Sequence, residues 1–195
     1  MRVRVPRPPA PGAPRPAGGP SERGFTLVEL VMVLVVVGIV GVTLAALLSG
    51  GVGAFMAGRE SVDTLSELRL VSERLARELR TVRRDPATPA NYDFIARTPT
   101  RVQFRRLEND GATVTTVTVD TSGGDLHIAY DTPAGTYTLT DRLGSLTFTY
   151  LQQDGTTTAG ADNSLVAFVD IDLSLTDAYG NDYPQRTRVA LRNRQ

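Results

Sequence analysis

The chain has 195 residues with 12 Pro, 18 Gly, no Cys and no Trp, and 21 basic residues balance 21 acidic ones. That length suits an anchor plus one modest domain, and the lack of cysteine excludes a disulfide framework, a thiol catalyst and a cysteine metal site. Every basic residue is Arg, which reflects composition bias and does not signal nucleic-acid binding.

Residues 1–24 are rich in Pro, Gly, Ala and Arg. Such a composition buries too little apolar surface to offset the entropy of ordering, so a disordered cytoplasmic leader is expected. Residues 25–58 read as a membrane-spanning helix. After Glu29 no ionisable side chain occurs before Arg59, leaving 29 uncharged residues, where roughly 20 suffice to cross the hydrocarbon layer. Arg2, Arg4, Arg7, Arg15 and Arg23 precede the span against one acid, Glu22, so the positive-inside bias keeps the N-terminus cytoplasmic and exports the chain beyond Arg59. A secretory signal peptide would have an apolar core of about 7–15 residues. This run is longer, although Ala45, Ala46, Ser49, Gly50 and Gly51 imitate a small-residue cleavage site. Gly38, Gly41, Gly50, Gly51 and Gly53 weaken the helix and permit close helix neighbours. A continuous helix with a weak point near Gly50 to Gly53 is expected.

Glu29 lies just inside the apolar run. A carboxylate there is costly, less so near a helix end, where the helix dipole offsets part of the cost. It calls for a partner, unless it is merely an interfacial glutamate tolerated at the helix start.

Over 59–85 the pattern turns amphipathic. Val62, Leu65, Leu68, Leu75, Leu79 and Val82 recur at helical spacing, and Arg69, Glu73 and Arg77 stand at i, i+4, i+8. Asp85-Pro86 and Pro89 end the pattern. A helix from Phe25 to about Arg84 would run on the order of 90 Å, so half of it must serve as the spine of the exported domain.

Residues 86–195 form the exported, β-rich domain. Candidate strands are 101–107, 113–119, 126–130, 137–140, 145–151, 165–175 and 186–191, separated by Gly-, Pro-, Asn- and Asp-rich breaks. Leu146, Phe148 and Tyr150 alternate with Thr147 and Thr149, and Val169, Ile171, Leu173 and Leu175 alternate with Asp170, Asp172 and Ser174. This alternation gives one buried and one wet face. The fold class is α+β, with an antiparallel sheet wrapped on the amphipathic half of the long N-terminal helix.

Arg23-Gly24 followed by FTLVEL and a long apolar helix resembles the N-terminal signature of type IV pilins and type II secretion pseudopilins. The resemblance implies a pilin-like fold. It also implies that a prepilin peptidase/methyltransferase cuts between Gly24 and Phe25 and methylates the new amine of Phe25. A neighbouring subunit's Glu29 would then pair with that amine where little water screens the attraction, setting axial register. Major pilins often carry a C-terminal disulfide and a helix proline, both absent here. The strings SLTFTYLQQDG, LVAFVDIDLSLTD and RVALRN resemble closing strands of minor pilins and the J-type minor pseudopilin. The implied role is a structural minor subunit of a pilus or pseudopilus, with other pilin-type subunits and bacterial inner-membrane lipid as partners. The alternatives are a tip adhesin or DNA-uptake pilin whose β domain binds a ligand directly and, far behind, a membrane-anchored enzyme.

Other residues carry less. His127 is the only histidine and sits in an alternating strand, and no phosphate loop, HExxH pair or GxSxG elbow occurs, so no enzyme is expected. Asp154, Asp162, Asp170, Asp172, Asp177 and Asp182 offer the oxygen chemistry calcium takes, but not the spacing of an EF-hand. No cofactor or metal is expected, with Asp170 and Asp172 read as a solvated strand face. Arg101, Arg105 and Arg106 flank Phe104, yet Glu108 and Asp110 dilute their field, so nucleic acid is not expected as a partner.

Overall fold

The computed structural model describes residues 24–191. The leader expected over 1–24 therefore lies outside the described residues apart from Gly24. One helix, α1 (Leu27–Leu79), precedes eight strands: β1 (Phe94–Arg97), β2 (Val102–Leu107), β3 (Val114–Ser122), β4 (Asp125–Asp131), β5 (Ala134–Thr140), β6 (Leu143–Leu151), β7 (Phe168–Thr176) and β8 (Asp182–Ala190). The α+β layout is the expected one. By contacts the chain divides into two units, the first ending at Gly50 and the second beginning at Gly51.

In the first unit every large apolar side chain from Phe25 to Leu48 is exposed. The hydroxyls of Thr43 and Ser49 donate back to the carbonyls of Val40 and Ala46 at 2.8 and 3.0 Å. These two hydroxyls are thus satisfied within the helix, in a segment long and apolar enough to cross a membrane.

In the second unit the strands form two antiparallel sheets, β1-β2-β3-β4-β5 and β6-β7-β8, where one sheet was expected. The turn residues set the first meander. Asp110 accepts the N–H groups of Ala112 and Thr113 at 3.0 and 2.9 Å, closing the β2–β3 turn. Gly123 and Gly124 have φ of 66° and 93° between the paired Ser122 and Asp125, the two positive values a tight type I′ hairpin requires. One apolar cluster joins Leu68, Leu75 and Leu79 of α1 to Phe104, Val117 and Ile128 of the larger sheet and to Phe148, Ile171, Leu173 and Val189 of the smaller.

Several details differ from the sequence reading. The helix stops at Leu79 and not near Arg84, because Thr81 N–H turns to the Glu78 carbonyl at 2.9 Å and Arg83 N–H donates to the Arg105 carbonyl at 3.1 Å. Val82, 4% exposed, thereby joins the sheet opposite Arg106. The buried helix face runs through Leu68, Val71, Leu75 and Leu79, leaving Val62 and Leu65 exposed at 62% and 49%. Among the described residues the Arg69–Glu73–Arg77 ladder does not close; the i, i+4 pairs formed are Arg59–Asp63 and Arg74–Glu78. Strand β1 has no counterpart among the strands expected from the sequence.

Candidate functional site

The residues implicated at the N-terminus sit where the backbone changes state. Gly24 and Phe25 are exposed and non-helical, and α1 begins at Leu27. Thr26 makes the transition: its hydroxyl accepts the Glu29 N–H at 3.3 Å and its carbonyl the Leu30 N–H at 3.1 Å. Thr26 is the N-cap and Glu29 the third helical residue, the Thr-x-x-Glu spacing of a capping box. That spacing is visible in the sequence, yet sequence reasoning did not single out Thr26. The cap leaves the Gly24–Phe25 peptide outside the helix, as exposed chain.

Glu29 stands in the first turn of α1, where the positive end of the helix dipole favours its charge. Among the described residues no donor reaches its carboxylate, whose backbone N–H alone is bonded. The helix start thus combines an unclaimed anion, a helical sleeve of exposed apolar side chains and, two residues before the helix, Phe25 exposed at 76%.

The remaining candidates are occupied by local structure. Phe104 is fully buried in the core. Arg105 pairs with Asp93 at 3.3 Å, and Arg106 with Glu78 and Glu108 at 2.7 and 2.9 Å, so of that basic group only Arg101 has no carboxylate partner among the described residues. His127 Nδ1 lies 3.2 Å from the Thr138 hydroxyl across the β4–β5 pair.

The aspartates fall in separate places. Asp154 and Asp162 accept the hydroxyls of Thr157 and Ser164, which together with backbone N–H groups two residues on hold both carboxyls below the usual range. Asp177 gathers the N–H groups of Tyr179 and Asn181 at 2.9 and 2.8 Å. Asp182 accepts the Thr176 hydroxyl. Asp170 corrects the expectation of a solvated face: it is 0% exposed and clasped by Arg186 and Arg188 of β8. Among the described residues no three His, Asp or Glu side chains gather as a metal site would require.

Two clefts of the second unit border α1. One, about 400 Å³, lies beside β8 and is lined by Arg69, Glu73, Arg77, Arg80, Gln185 and Thr187, among others. The other, about 420 Å³, is lined by Arg74, Arg106, Tyr130, Pro133, Tyr137 and Leu139, among others. Beneath it Tyr130 donates to Glu78 and receives Arg74, both at 2.8 Å.

No curated protein and no solved structure matches the chain. Residues 19–45 match a family model described as the prokaryotic N-terminal methylation motif, a stretch that contains Gly24, Phe25, Thr26 and Glu29. The chain therefore carries the prepilin-type N-terminal methylation motif of type IV pilin-like proteins, which implies processing by a prepilin peptidase and assembly with other pilin-type subunits.

Proposed function

We propose that this chain is a structural minor subunit, a minor pilin or pseudopilin, of a type IV pilus or type II secretion pseudopilus. It is made as a single-pass inner-membrane precursor with its N-terminus in the cytoplasm and its β-rich part in the periplasm. Cleavage between Gly24 and Phe25 and N-methylation of Phe25 precede entry into the filament. It performs no catalysis and needs no cofactor.

The observation that carries this reading is the methylation motif laid over an exposed apolar helix whose one early carboxylate, Glu29, has no partner among the described residues. In lipid the apolar side chains of α1 are solvated by acyl chains, and in a filament the helices of neighbouring subunits replace them. The Phe25 amine and a neighbour's Glu29 then select register, because a mismatched pair would leave two charges unpaired where water is scarce. Substituting Glu29→Ala tests this: cleavage persists, while incorporation into filaments, read by immunoblot of sheared filament fractions, falls. Normal incorporation would remove Glu29 from assembly.

One observation favours a second reading, in which the β-rich part also binds a ligand directly. The Tyr137 side chain packs over Gly135, where an added Cβ would meet its hydroxyl at 3.0 Å and its ring at 3.2 Å, and it remains 58% exposed beside the Tyr130 cleft. A ligand retained by the full chain and lost on Tyr137→Ala would support it.

A further inference from the structure

Most of the described arginines of the second unit are neutralised within it. Arg59, Arg74, Arg83, Arg105, Arg106, Arg142, Arg186 and Arg188 each have a carboxylate within 4.0 Å. Arg84 and Arg97 lie over aromatic rings. Among the described residues only Arg69, Arg77, Arg80 and Arg101 have no such partner, and three of these four line the single cleft between α1 and β8. The charge is therefore concentrated, not scattered.

The geometry of the cleft narrows the occupant. Arg69 and Arg77 fall on one stripe of α1, about 12 Å apart along the axis, and Arg80 follows in the turn just past the end of the helix. An extended chain rising about 3.3 Å per residue covers that span in four or five residues, so carboxylates at i and i+4 of a strand meet both ends. Glu73 lies midway on the same stripe and lines the same cleft, where it repels a continuous phosphate backbone but tolerates a neutral residue. The opposite wall is Gln185 and Thr187 of β8, the strand that ends its sheet. It has a neighbour on one side only, and its open edge holds unpaired backbone groups of the kind that strand addition uses.

We propose that the cleft between α1 and β8 is a docking groove for an acidic, extended segment of a partner protein. That segment lies along β8 with carboxylates on Arg69 and on the Arg77–Arg80 pair. The proposal concerns the second unit alone and does not depend on cleavage at Gly24.

The test uses the full chain in detergent micelles and a fluorescein-labelled peptide of sequence TETVTET, with its lysine counterpart TKTVTKT and a hexameric oligothymidylate as comparisons. Fluorescence anisotropy should show the acidic peptide binding and releasing as salt is raised. Affinity should drop about tenfold or more in the triple variant Arg69→Gln, Arg77→Gln, Arg80→Gln and stay unchanged in Arg101→Gln. The triple variant should keep its melting temperature, because the three side chains are exposed. Backbone N-methylation of the peptide should weaken binding by removing the strand-edge hydrogen bonds. No binding of the acidic peptide, an equal loss in Arg101→Gln, or tighter binding of the oligothymidylate or the lysine peptide would each overturn the proposal.

Discussion

Replacing Asp170 by Asn should destabilise the β-rich unit more than any surface charge change, and in a pH-dependent way. The carboxylate is 0% exposed. It accepts Arg186 Nη2 at 2.6 Å and Arg188 Nε and Nη2 at 2.6 and 2.8 Å, and Asp170 faces Arg188 directly in the β7–β8 register. Arg188's hydrogen bonds first, and then Arg186's, hold its carboxyl below the usual range against the opposing effect of burial. Removing one partner of a fully buried pair costs about 3–5 kcal/mol. Here the arginine side chains are 62% and 47% exposed, so water recovers part of their solvation and about 2–3 kcal/mol is expected. For a chain of this size that is a fall in Tm of about 5–10 °C. The sign with pH follows from the lowered pKa: the stabilisation is present above the unfolded carboxyl value near 3.9 and is lost as pH falls through the lower folded value. Thermal melts of the full chain in detergent should show a wide gap between wild type and Asp170→Asn at neutral pH, closing progressively below about pH 4. A variant melting within about 1 °C of wild type at neutral pH, or a gap independent of pH, would refute the reasoning.

Two further substitutions probe the packing. Leu75→Ala removes a fully buried helix side chain from the shared core and should cost about 2–5 kcal/mol in denaturant unfolding; a loss under about 1 kcal/mol would mean that α1 does not pack as described. At Gly144→Ala the new Cβ would lie 2.8 Å from both the Ser174 and Thr176 hydroxyls, displacing the Thr176 bond to Asp182. A loss of about 1–3 kcal/mol is expected, and no loss would place those side chains elsewhere.

Elements whose signal is local were legible in the sequence. The apolar helix and the seven longer strands follow from periodicity and turn residues, the Gly24–Glu29 signature was legible as a resemblance to a known motif, and Asn109-Asp110-Gly111 and Gly123-Gly124 mark hairpins where the structure has them. What failed depended on distant chain. β1 is four residues long between prolines and exists because it pairs with β2. The last turn of the expected helix yields to Arg105 across the sheet. Asp170 alternates as a wet residue should, but its cover comes from Arg186 and Arg188 on the next strand, which no periodicity reveals. Val62 and Leu65 fit helical spacing as well as Leu68 does, and only the position of the sheets decides which of them is buried.

Under the proposed function the helix that begins at Leu27 serves three ends: its cap at Thr26 leaves the proposed cleavage point outside the helix, its exposed apolar surface would meet lipid and then neighbouring helices, and its far end packs on both sheets. Mass spectrometry of the mature N-terminus tests that account most directly. A chain beginning at N-methylated Phe25 is the predicted result. An intact Met1, or a cut near Ser49, would contradict it.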